Sequence, residues 1–275
     1  MRYLRKTLQY LLILENGKRL LTLFLISVPA GIAASFAFPT ESVYEWIKNY
    51  SVGNTNFWQN WTLGGSRFAV WMGLLAMFML LIFSISVMAS IVSRSLRVGV
   101  FKVERLIYEF NESFFPAFFT VLLYILAYIV TKTIITLFLV LWQTLKFKAL
   151  SLGLSVFTFA LLLCGASLLL SYTVMFLPTM SFNGLKARDA LIASVRKCGG
   201  KARKILPAIA LPIAVVIVIG SLIAIFEIPL LSQIIDSVLY SLLFAYLLSL
   251  SMISYYEIEQ LKREDYPREY FFRKK

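Results

Sequence analysis

Six stretches of this 275-residue chain are apolar over enough length to cross a lipid bilayer: 20–38, 68–92, 114–145, 149–177, 207–226 and 234–256. A membrane helix needs about 20 mostly apolar residues to span roughly 30 Å of hydrocarbon. Lipid offers no hydrogen-bond partners, so a single apolar segment crosses only as a helix, which satisfies its own backbone. The chain is therefore predicted to be all-α, one membrane domain over residues 1–275 built as a bundle of six transmembrane helices. Runs 114–145 and 149–177 are longer than a straight crossing needs and are expected to tilt or to extend past the bilayer. Composition agrees: 60% of residues are hydrophobic and 15% charged, against about 45–50% and 25% in soluble domains.

Basic residues orient the bundle. The formal charge is +13 from 27 Lys and Arg against 14 Asp and Glu. With six spans, five basic residues in 2–19, four in 94–105, seven in 186–204 and six in 262–275 fall on one side, so 22 of the 27 share a face. Lys and Arg concentrate in cytoplasmic loops, so both termini are predicted cytoplasmic, with 257–275 as a basic cytoplasmic tail. The excess charge then expresses orientation over an anionic inner leaflet, and nucleic acid is not needed to explain it. All five tryptophans, at 46, 58, 61, 71 and 142, lie on the opposite side, where an interfacial aromatic belt is expected. A rival reading makes 20–38 a cleaved signal peptide ending at Ser35-Phe36-Ala37, but the stretch before it is long for a signal n-region.

The connecting segments are patterned as well. In the external loop 39–67, Val43, Trp46, Ile47 and Tyr50 recur at helical spacing and predict a short amphipathic helix in the membrane interface. The triplet Asn60-Trp61-Thr62 has the form of a glycosylation sequon. Short amphipathic helices are expected on the cytoplasmic side. One presents Leu4, Leu8, Leu11 and Leu12; another, in loop 93–113, includes Leu106 and Ile107; a third, in loop 181–205, presents Ala190, Leu191 and Ser194 and stops at Gly199. These six named loop residues, Leu106, Ile107, Ala190, Leu191, Ser194 and Gly199, are the candidates for docking a cytoplasmic partner.

Chemistry is harder to find. There is no histidine, and Cys164 and Cys198 have no general base to activate them. No nucleophile elbow, phosphate-binding loop or zinc-protease pair occurs. The sequence thus predicts no enzyme, catalytic residue, cofactor or metal. Lys132 is the one ionisable residue well inside a run, and intramembrane charge is the usual pointer to a functional site. Two placements are open: snorkelling to the outer interface, or a polar site facing the bundle with Glu227 or Asp236 as its partner. The small residues of 149–177, Ser151, Gly153, Ser155, Ala160, Gly165, Ala166, Ser167 and Ser171, read as a helix-packing seam, with a substrate path as the alternative.

Two resemblances follow from the second half of the chain. Pro178, then Ala190-Leu191-x-x-Ser194, then Gly199 and an apolar span, with Tyr255-Tyr256 closing the last run, resembles a bacterial six-span family. That family occurs alone and as the membrane domain of some glycerophosphodiester phosphodiesterases. No catalytic residue transfers, because the chemistry there belongs to the attached soluble domain. Gly199 or Gly200 followed by Ile209-Ala210-Leu211-Pro212 is similar to binding-protein-dependent permease subunits, although the acidic residue opening their coupling loop is missing around Ala193-Ser194-Val195. The resemblances imply a non-enzymatic bacterial inner-membrane protein, either transport-related or an accessory scaffold. The second adds a permease coupled through loops 93–113 and 181–205, with a cytoplasmic ATPase or another membrane subunit as partner.

The topology has a direct test. Green fluorescent protein fused after residue 275 should fluoresce, whereas alkaline phosphatase at the same point should stay inactive; the opposite pair of results would invert the orientation.

Overall fold

The computed structural model describes residues 2–53, 55–63, 67–99 and 106–263, with the side chains of residues 67, 69, 106–109, 111 and 112 left aside. Six helices are long and apolar enough to cross a membrane. The crossing helices are α2 (Lys18–Ala37), α5 (Arg67–Val98), α6 (Leu106–Gln143), α7 (Lys148–Thr173), α10 (Ala202–Ala224) and α11 (Pro229–Ile258). Five short helices cap them: α1 (Arg2–Leu8), α3 (Thr40–Lys48), α4 (Phe57–Trp61), α8 (Phe176–Asn183) and α9 (Ala187–Cys198). No strand occurs among the described residues. The protein is an all-α, multi-pass membrane protein.

Each crossing helix packs on the next in sequence, and α11 returns to α2, so the six form a closed ring. The tightest seam is α2 against α11. Its inward residues are small: Ser27, Ala30, Gly31, Ala34 and Ser35 are all buried or glycine. A Cβ on Gly31 would run into the Ser241 hydroxyl and the Ser237 carbonyl, so only glycine permits this approach. Ser27 donates to the Ser241 carbonyl at 2.9 Å across the same seam.

Helix breaks inside the apolar layer decide the rest. Run 149–177 is not one helix: α7 ends at Thr173, and α8 begins at Phe176 with Pro178 in its first turn. Pro178 has no N–H, so the Val174 carbonyl loses its helical donor. Three hydroxyls from three other helices take the freed carbonyls. Ser194 of α9 donates to Tyr172 at 3.1 Å, Tyr124 of α6 to Thr173 at 3.1 Å, and Ser251 of α11 to Val174 at 2.6 Å. Pro212 creates the same problem in α10, and the Tyr246 hydroxyl of α11 donates to the Ala208 carbonyl at 2.8 Å. Where α2 ends, Tyr240 donates to the Phe38 carbonyl at 2.6 Å.

The end that carries α1, α8 and α9, called here the basic end, is densely filled. Glu257 pairs with Arg2 at 2.8 Å and with Lys6, and Lys197 pairs with Glu259 at 2.6 Å. The face of α1 differs from the leucine face expected. Tyr3, Thr7, Tyr10 and Leu11 are buried, while Leu8 and Leu12 are 40% and 50% exposed. A π-helical turn at Gln9–Ile13 and left-handed backbone at Glu15, Asn16 and Gly17 rotate the segment before α2 begins. The aromatic rings then fill the space beside Met252, Tyr255 and Tyr256.

The Pro212–Tyr246 pair gives a cycle. Tyr246→Phe strands the Ala208 carbonyl and should cost about 1 kcal/mol of stability. In a Pro212→Ala background the restored amide takes that carbonyl, and the same change should cost close to nothing. Reversible unfolding in detergent measures both, and equal costs in the two backgrounds would refute the assignment.

Candidate functional site

The opposite end, called the tryptophan end, is closed by the segment between α2 and α5. Helix α3 does not float in the interface as expected; it docks on α10 and α11. Its own N-cap, Pro39, supplies no side-chain acceptor. The Asp236 carboxylate of α11 serves instead, accepting the Thr40 N–H at 2.9 Å and the Thr40 hydroxyl at 2.7 Å. A carboxylate at a helix N-terminus satisfies a free amide and favours the helix dipole. Gly220 leaves room for this contact, since a Cβ there would meet Thr40 and Asp236. Lys48, at the other end of α3, pairs with Glu227 in the α10–α11 turn, and its hydrogen bond and charge hold the Glu227 carboxyl below the usual range.

A second polar cluster ties α4 to the end of α6. Asn60 and Gln143 are 2% and 1% exposed and bond side chain to side chain in both directions, at 2.8 and 3.0 Å. The Trp46 indole also donates to Asn60, at 3.1 Å. Asn60 further donates to the Asn56 carbonyl at 3.1 Å. Its amide is thus buried and fully engaged, so the sequon is not a glycan acceptor in this fold. Tyr50 reaches the hydroxyls of Ser151 and Ser155 on α7, and the Trp142 indole bonds Thr158 at 2.9 Å. The hydroxyls of α7 do form a buried seam, whereas Gly153 and Gly165 face open space.

Lys132 lies just inside this closure. Its ammonium stands 4.4 Å from the Trp61 ring centroid and 5.5 Å from that of Tyr128. Trp61 is buried and stacked on Trp71, with centroids 5.2 Å apart. Tyr128 meets Phe38 at 4.5 Å, and Phe38 meets Tyr240 at 6.2 Å. The side chain therefore turns into the bundle's aromatic cluster. Neither carboxylate considered for it is its partner, because Asp236 holds Thr40 and Glu227 holds Lys48. Among the described residues no carboxylate pairs with Lys132. A lysine at membrane depth costs about 2.5–3.5 kcal/mol, and cation–π contact returns about 0.5–2. The balance favours an additional anion.

Lys132 sits among aromatic side chains packed on the buried cluster at this end. Tyr124, Tyr128 and Lys132 form one stripe on α6, and Tyr240 and Phe244 form another on α11. All five are half-buried, although their contacts place them inside the ring. No residue of 122–135 on α6 and none of 159–166 on α7 is buried. Among the described residues, α6 and α7 make no extended contact with α11 across the ring.

The docking candidates scatter. Ala190 and Ser194 are buried against the protein's own α7 and α8, and Leu191 is half-buried beside Phe176 and Met180. Gly199 is exposed at the end of α9. The side chains of Leu106 and Ile107 lie outside the described residues. Ile192 and Val195 form the outward apolar face of α9. Cys164 is exposed, and burial pushes the Cys198 thiol up to about 11. Among the described residues no group of His, Cys, Asp and Glu could hold a metal ion. Beyond one amide side chain at the end of an apolar run, nothing in the sequence pointed to the Asn60–Gln143 pair.

No family model, curated protein or solved structure matches the chain. Nothing in these comparisons bears on the two resemblances.

The Asp236 contact is testable. Asp236→Ala leaves the Thr40 amide and hydroxyl unpaired and should lower stability by about 1.5–3 kcal/mol. It should also speed proteolysis between residues 39 and 66, whereas Thr40→Ala, which keeps the amide bond, should do less of both.

Proposed function

We propose that this is a non-enzymatic bacterial inner-membrane protein with a transport-related role, and that its tryptophan end faces outward. One observation carries the reading: Lys132 turns its charge toward the rings of Trp61 and Tyr128 inside the bundle and has no carboxylate partner among the described residues. A charge held inside the bundle at membrane depth is costly and is the usual mark of a transport pathway, whereas an accessory scaffold has no need of one. The basic end, with its lysine and arginine pairs around α1 and α9, then lies on the anionic cytoplasmic leaflet.

The permease reading keeps one support, the outward face of α9, where Ile192 and Val195 are exposed between Arg188 and Arg196. Ala190 and Ser194 are spent on internal packing, so coupling to an ATPase would have to use that outward face. Copurification of a nucleotide-binding subunit, lost on Ile192→Asp, would favour this reading.

Access to the interior tests the main proposal. In a Cys164→Ser, Cys198→Ser background, Lys132→Cys should react with N-ethylmaleimide, which crosses lipid and so does not need an open end. Val130→Cys, on the exposed outer surface of α6, should not. Absence of labelling at position 132 would remove the transport-related role.

A further inference from the structure

We infer that the outward face of the N-terminal segment is a lipid-binding surface, with its leucines among acyl chains and Arg5 and Lys18 on the anionic headgroups of the same leaflet. The inference needs neither the transport-related role nor a particular orientation of the bundle.

Burial splits this segment into two faces. Tyr3, Thr7, Tyr10 and Leu11 are buried, and Tyr3 and Tyr10 share a cluster with Met252, Tyr255 and Tyr256 of α11. The other side carries Arg5, Leu8, Leu12 and Ile13, all exposed. The leucine periodicity of the sequence is real, but it turns away from the protein. Helix lengths say what it meets. Helix α2 has 20 residues, about 30 Å at 1.5 Å per residue, which is the thickness of the hydrocarbon layer. Lys18, its first residue, thus stands at the hydrocarbon boundary, and only the four residues Leu14–Gly17 separate it from Ile13. Helix α11 has 30 residues, about 45 Å, so its last turns stand in the headgroup layer. Residues 250–256 of α11 are buried in succession, hence on every side of the helix, and α1 packs on it. A helix that covers the side of another at headgroup depth presents its own outer face to lipid.

Charge selects the lipid. Arg2 and Lys6 are held by Glu257, and Glu15 is held by Arg19 at 2.8 Å. Arg5 and Lys18 are exposed and pair with no carboxylate among the described residues. Their stems can lie along the leucines while their charges reach phosphate. Exposed leucines flanked by uncommitted cations match an acyl chain and an anionic headgroup together.

The test uses the full chain in phosphatidylcholine nanodiscs, with Cys164→Ser, Cys198→Ser and Leu12→Cys, and a bimane fluorophore on position 12. Phosphatidylcholine bearing a nitroxide near the top of its acyl chain should quench the fluorophore, and iodide, confined to water, should not. Nitroxide-labelled phosphatidylglycerol should quench equally at a mole fraction at least about fivefold lower, the factor contributed by one basic residue near an anionic surface. Arg5→Gln with Lys18→Gln should remove that preference and keep quenching by phosphatidylcholine, whereas Arg5→Lys should keep both. A label at Leu8→Cys should repeat the pattern, and unchanged melting of each variant shows that the fold is kept. Quenching by iodide with none by either lipid would overturn the inference and leave this face to a soluble partner. Equal quenching by the two lipids, or a preference that survives loss of both cations, would overturn it as well.

Discussion

A backbone carbonyl inside lipid must find a donor, and this chain breaks its helices often enough to make that requirement its organising constraint. Pro178 and Pro212 each remove an amide from the apolar layer. The replacements come from elsewhere in the ring: Ser194, Tyr124 and Ser251 around the α7–α8 break, and Tyr246 at Ala208. Each such bond fixes the rotation and depth of a neighbouring helix, because a hydroxyl reaches a carbonyl only over a narrow range. The breaks are thus also the joints. They explain why α11, donor of three of these bonds once Tyr240 is counted, is among the most buried spans.

The two ends are then closed by different means. At the basic end aromatic rings and ion pairs gather around Glu257 and Tyr10. At the tryptophan end a carboxylate caps α3 from another helix, and two amide side chains lock α4 to α6. Between the closures, Lys132 has rings as its described contacts, while Asp236, equally isolated in the sequence, serves the fold by capping α3.

Much of this was legible beforehand where one residue's property is enough. Apolar length placed all six crossings, whereas the small residues of α7 divide: its serines are buried, but Gly153, Ala160 and Gly165 are exposed. Reading failed where two distant segments had to meet. Tyr3 of α1 and Tyr10 of the following turn share one buried cluster with Tyr255 and Tyr256, so the buried face is not the one the leucine periodicity indicates. Ala190 and Ser194 are buried in the fold, and in a sequence a small-residue face looks the same whether its partner is another protein or the next helix of the same chain.

By itself the sequence determined that the protein is helical and lies in a membrane with six crossings, because hydrocarbon leaves a long apolar segment no other form. Tertiary structure alone decided which ionisable groups are satisfied. Lys132, Glu227 and Asp236 were indistinguishable as isolated charges in an apolar chain. Their roles separated only when Thr40 came 2.7 Å from Asp236 and Trp61 came 4.4 Å from Lys132. Charge energetics depend on distances of a few ångströms between residues far apart in the chain, and only the fold sets those distances.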